Sequence, residues 1–149
     1  MSKKFILSLF ILFTIKISFG QIGAVEEIAE KVQVGYNNNF TKFHSLSYQK
    51  GDNGIKVYSL VYRNMEYDNV DTYETLVFTA TDEELEYLYN FFKEGMKDKS
   101  GKTLELGEHK ILVKKMGKGV QISDVSDYKT PNLFWLLPKE LDRLFGKRK

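Results

Sequence analysis

The sequence predicts a single α+β domain: a predominantly antiparallel sheet of about five to seven strands, two helices packed on one of its faces, and a further N-terminal helix. Two observations carry this expectation. Runs of alternating apolar residues recur between turns rich in glycine and asparagine, and two such runs pass almost directly into segments with helical spacing. A third observation bounds it: the chain has no cysteine, so no disulfide can staple the fold and its own core must hold it together.

Ser2-Lys3-Lys4, the apolar run FILSLFILFTI and the small-residue end Ser18-Phe19-Gly20 have the order of a secretory signal peptide. This assigns residues 1–20 to the signal, with cleavage near Gly20/Gln21 and a secreted or periplasmic product. The apolar run is about half the ~20 residues that cross a bilayer, and Lys16 interrupts its end, so no stable membrane span is expected after cleavage. Lys3, Lys4 and Lys16 leave with the segment. Taking these three from 22 basic residues leaves 19 against 20 acidic ones, a formal charge of −1. With no excess of positive charge, nucleic acid is not an expected partner. The charge that remains is segregated: Asn64–Phe92 holds eight acids and no base, and Lys93–Lys118 is rich in bases. The lack of cysteine also excludes a lipid-modified cysteine after the signal, a thiol nucleophile and cysteine metal sites. Residues 21–149 are expected to form one domain, since a chain of this length buries roughly 60% or more of its unfolded surface.

In order along the chain, Ile22, Val25, Ile28, Ala29 and Val32 have helical spacing and predict a helix at about 24–33, with Glu26, Glu27 and Glu30 opposite. Gly35-Tyr36-Asn37-Asn38-Asn39 reads as a turn or loop, and Asn39-Phe40-Thr41 matches the glycosylation sequon. Lys42–Gln49 and Ile55–Asn64 form a hairpin around Gly51-Asp52-Asn53-Gly54, its second strand apolar on both sides and therefore interior. The strand TYETLVFTA from Thr72 to Ala80 runs straight into a helix at 82–96. Thr81-Asp82-Glu83-Glu84 is a capping box, and Leu85, Leu88, Tyr89, Phe92 and Met96 make one apolar stripe behind it. Strands follow at about 103–106, 109–116 and 119–125, with Gly117-Lys118-Gly119 as a tight hairpin turn. After a loop containing Pro131 and the apolar run Leu133–Leu137, Pro138 opens a helix at 138–146, with Leu141, Leu144 and Phe145 inward. A shift of 56 residues superposes Phe78, Glu84, Leu85, Leu88 and Tyr89 on Phe134, Glu140, Leu141, Leu144 and Phe145. That echo suggests a ββα duplication, 55–97 and 103–146.

Residues able to do chemistry are few. His44 and His109 are the two histidines, each in an expected strand, and could meet across a sheet as metal ligands or catalytic groups. Glu66, Asp68, Asp71 and Glu74 could offer oxygens to a hard cation, without the calcium-loop order. Ser123-Asp124 and Ser126-Asp127 lack any nucleophile elbow, and Gly117-Lys118-Gly119 precedes a strand, as a turn does and a phosphate cradle does not. Tyrosine is the remaining feature: Tyr58, Tyr62 and Tyr73 are expected on the face away from the helices, where a rigid ring with a polar tip suits recognition. A covering layer from the N-terminal helix is the competing use of that face. The expected function is an exported, non-enzymatic binding module using Tyr58, Tyr62 and Tyr73 on a protein or glycan partner, without cofactor or metal. The alternative is a small secreted hydrolase or metal-dependent enzyme using His44, His109 or the acidic loop 66–74.

Overall fold

The computed structural model describes residues 29–39, 42–67, 69–127, 129 and 132–147. The signal segment, its cleavage site, residues 24–28 of the expected first helix, and Phe40 and Thr41 of the sequon lie outside them.

Four strands, β1 (Val32–Asn39), β2 (Lys42–Lys50), β3 (Lys56–Arg63) and β4 (Tyr73–Ala80), form one antiparallel sheet in chain order. Helix α1 (Asp82–Gly95) follows β4 at once. A second antiparallel sheet, again in chain order, holds β5 (Lys102–Leu106), β6 (His109–Met116), β7 (Gly119–Asp124) and β8 (Asn132–Leu136), and α2 (Pro138–Leu144) ends the described fold. The molecule is thus α+β, with eight strands in two sheets where five to seven in one sheet are expected. Every strand pairs with its neighbour in the chain, and α1 then carries the backbone away from the free edge of β4 before β5 begins.

The helices also depart from expectation. Instead of lying together on one face, each crosses to the other half's sheet: α1 rests on β6 and β7 as well as β4, and α2 on β1 and β2 as well as β8. Each sheet has an apolar inner face to cover, and the exchange covers both. Close approach is built in where α2 meets β1, since a Cβ on Gly35 would stand 2.0 Å from the Arg143 carbonyl oxygen. The helices meet through Tyr89, whose hydroxyl donates to Asp142 at 2.8 Å and whose pKa that bond pushes up to about 12.

Inward residues of both sheets and the buried stripes of both helices form one core. Tyr62 of β3 stacks on Phe134 of β8 with centroids 4.4 Å apart, joining the two sheets directly. Beside that stack, Asn64 donates to Asn132 Oδ1 at 2.9 Å, and the Met65 amide donates to the Leu133 carbonyl at 2.8 Å.

The glycine- and asparagine-rich stretch expected as a loop is strand β1, and Val32 and Gln33, expected at a helix end, begin it. Pairing with β2 overrides the low strand propensity, and the buried Asn37 side chain donates through Nδ2 to the Glu140 backbone carbonyl at 2.7 Å.

Candidate functional site

The strand register separates the three tyrosines that the sequence places on one face. Tyr58 is paired with Phe78 and Tyr62 with Glu74, while Arg63 is the partner of Tyr73. Tyr58 and Tyr62, each 1% exposed, therefore share the inner face with Leu76 and Phe78, whereas Tyr73 lies on the outer face, 54% exposed. Burial raises the pKa of both inner phenols. β3 is apolar on both sides, so the choice between Val57/Val61 and Tyr58/Tyr62 as the core set is made by the neighbouring strands. On the outer face Tyr73 meets Phe43 edge to face at 5.9 Å, and Arg63, between them in register, has its Nε 2.8 Å from Asp71.

The histidines stand in different sheets with separate neighbours. His44 is buried against Phe134, with ring centroids 5.3 Å apart. His109 Nδ1 lies 2.8 Å from Asp124 Oδ2 in a half-buried position near the seam. Ser126 donates its hydroxyl to Asp124 Oδ1 at 2.5 Å and its amide to the same oxygen at 3.0 Å. Burial alone would raise the Asp124 pKa, but these two bonds and His109 outweigh it and hold the carboxyl below its ordinary value. An aspartate fixing an imidazole is half of a catalytic arrangement. Here the serine is bonded to the carboxylate, and its oxygen also accepts the Lys110 amide. It is therefore committed elsewhere than to the imidazole as a nucleophile.

Of the acidic loop, Asp68 lies outside the described residues. Asp71 faces Arg63, and Glu74 falls on the inner-facing side of β4 opposite Tyr62. Among the described residues, no group of three or more histidine, aspartate or glutamate side chains is placed to hold a metal ion.

A concave site lies elsewhere, along the flank of α1. A cavity of about 320 Å³ is lined by Tyr87, Asn90, Phe91, Glu94 and Gly95 of the helix, and by Lys102 and Val113 of the second sheet. A second cavity, about 180 Å³, shares Tyr87 and continues between the end of β4 and Leu104–Gly107. Together they make a groove bordered by two strands that end their sheets. The capping box fixes the rotation of α1: the Thr81 hydroxyl accepts from the Glu84 amide, and Glu84 accepts from the Thr81 amide. With Leu88, Tyr89 and Phe92 turned inward, Tyr87 and Phe91, four residues apart, fall on the flank. Their rings stack at 6.3 Å, and Tyr87 is 60% exposed. Glu94, paired with Lys97 at 3.1 Å, and Lys102 supply charge at the mouth.

Sequence reading passes over this groove, although the signal for it is in the helix. Tyr87-Leu88-Tyr89 and Phe91-Phe92 make an apolar arc wider than one sheet contact needs. No protein family, curated protein or solved structure compared with the chain matches it, so the site rests on its own geometry.

Proposed function

We propose that the chain is an exported, non-enzymatic binding module that takes an extended polypeptide segment into the groove between α1 and β5. The supporting observation is the aromatic ledge of Tyr87 and Phe91 over a cavity that runs on to the edges of β4 and β5. An extended segment can use both features, because its backbone can pair with an edge strand while its alternate side chains settle against the ledge. Exposed aromatic rings dominate binding energy when a partner desolvates them. The order of basic, apolar and small residues over 1–20 supports export. A hydrolase built on His109 is the weaker reading, since Ser126 spends its hydroxyl on Asp124.

Panning random displayed peptides on the native protein and on a Tyr87→Ala/Phe91→Ala double variant tests the groove. Peptides with alternating apolar residues are expected to bind the native protein, with affinity falling about tenfold or more in a variant that keeps its circular dichroism spectrum. Equal binding to both proteins, or none to either, ends the groove reading. Export is tested separately, by finding whether the protein recovered from outside the cytoplasm begins near Gln21.

A further inference from the structure

A second surface, on the far side of the second sheet, carries a different chemistry. Two chain segments meet at one end of it: the β6–β7 hairpin tip, Lys114-Lys115-Met116-Gly117-Lys118, and the junction of β8 with α2, Trp135-Leu136-Leu137-Pro138-Lys139. Between them lies an open hollow of about 440 Å³ lined by Met116, Gly117, Lys118, Trp135 and Leu137, with apolar walls. Met116 is 46% exposed and Leu137 37%, side by side on the two projections. Gly117, at φ 58°, makes the turn that presents Met116 and Lys118 at the tip.

Lysine borders this apolar spot: Lys118 lines the hollow, and Lys114 is on the same outward face of β6 as Met116, in register with Gln121 and Trp135. Lys115, Lys118 and Lys139 are exposed and Lys114 is half-buried, and none of the four is ion-paired with a described carboxylate. Glu140 is buried and accepts the Leu137 amide at 2.8 Å, and Asp98 accepts the amides of Ser100 and Gly101. The spot therefore combines apolar side chains on two adjacent projections with lysine ammonium groups that make no ion pair with a described carboxylate.

We propose that this end of the second sheet docks peripherally on an anionic lipid surface. Met116, Leu137 and the rim of Trp135 enter the headgroup boundary while the lysines remain among the headgroups. Lysine favours this occupant over a specific acidic peptide. A compact ammonium attracts a sheet of negative charge without fixed geometry, and the spot offers none of the bidentate donors that read individual carboxylates. The proposal goes beyond the groove on α1 and does not depend on it.

Trp135 is the single tryptophan of the chain, so its fluorescence reports this site alone. Purified protein is mixed with vesicles of phosphatidylcholine containing phosphatidylglycerol, and with vesicles of phosphatidylcholine alone. The expected result is co-sedimentation and a blue shift of Trp135 emission with the anionic vesicles, weakening about tenfold or more from low to high salt. Met116→Ser/Leu137→Ser should lose the blue shift, and Lys114→Gln/Lys118→Gln should lose the salt-dependent binding. Both pairs alter exposed or half-buried side chains, and circular dichroism checks that the fold is kept. Binding that survives both variants, or that leaves Trp135 emission unchanged, places attachment elsewhere on the chain and overturns the proposal. Capture of polyglutamate with no vesicle binding would overturn it in favour of an acidic polypeptide.

Discussion

Each half of the molecule runs four antiparallel strands into a helix, yet the two halves differ sharply on the faces they turn outward. Inside, one rule serves both: Leu60, Leu76 and Phe78 of the first half and Val113, Ile122 and Phe134 of the second are buried in the same core. Outside, β3 and β4 show Ser59, Thr75 and Thr79 among Val57, Val61 and Val77, and Arg63 on that face is held by Asp71. β6 instead alternates Lys110, Leu112, Lys114 and Met116 with its buried residues, and Trp135 stands two strands away in register with Gln121. A shared core restricts inward side chains to shapes that interlock, whereas outward ones answer only to solvent or a partner. The difference between the halves is therefore read on the surface, where the second carries the lysine-bordered apolar spot.

The strongest challenge to this comparison is whether the halves are one unit at all. Phe92 belongs to the first half, is fully buried, and meets Phe145 of the second edge to face at 5.9 Å. Phe92→Ala should cost roughly 3–5 kcal/mol, the usual loss for a buried aromatic ring. Because α1 lies on the second sheet, the loss should appear equally in Trp135 fluorescence and in circular dichroism during urea unfolding. Two separate transitions, with the tryptophan signal unmoved, would break the picture of helices exchanged between halves.

A smaller effect sharpens the seam. Asp124 holds His109 and Ser126 at the polar end of the second sheet, and no ordinary hydrophobic contact can replace that knot. Asp124→Asn should cost about 2 kcal/mol at neutral pH, since hydrogen bonds to a charged group are worth more than neutral ones. The sign of its pH dependence follows from the lowered pKa. A carboxyl that is more acidic folded than unfolded adds stability above its ordinary value of 3.8 and loses it as pH falls through the lower folded value. The gap between native and variant should accordingly narrow in acid melts below about pH 4. A gap that widens there would mean the aspartate is not held as an anion.

Helix α1 was legible in the sequence because its signals are local: a capping box, an acidic first turn and an apolar stripe all fall within a few residues. The β6–β7 hairpin was legible for the same reason, since Gly117 and Gly119 mark the turn. What escaped depends on distant residues. Whether strands form one sheet or two is decided at the missing pairing between β4 and β5, and no residue in either strand announces it. Tyr58 and Tyr62 point inward because of their register with Phe78 and Glu74, although β3 alone is apolar on both sides. β1 hides more deeply still, for Gly35 and three successive asparagines look like a loop until α2 packs over them. The groove is a product of the same exchange, as Tyr87 and Phe91 border a cavity only once α1 lies on the second sheet.

The finest distinction between the halves lies in how their helices begin. Thr81 and Leu137 occupy equivalent cap positions with nearly the same extended backbone, φ −79° and ψ 170° against φ −76° and ψ 160°. Glu84 and Glu140 both reach back to the cap amide at 2.8 Å. Only the first helix has the other half of the box, because leucine carries no oxygen to accept an amide from the first turn. Thr81→Ala should therefore cost about 1 kcal/mol, with a smaller added loss from Glu84→Ala because the two act as one device. Leu137→Thr should do the reverse. A threonine hydroxyl placed there can accept from the Glu140 amide, and since the leucine is partly exposed little burial is lost, so a gain of about 0.5 kcal/mol or more is expected. Urea melts of the three variants and the native protein decide it. A Leu137→Thr protein less stable than the native one would mean that Leu137 contributes more by packing than a completed cap returns, and that the two helix starts are not interchangeable.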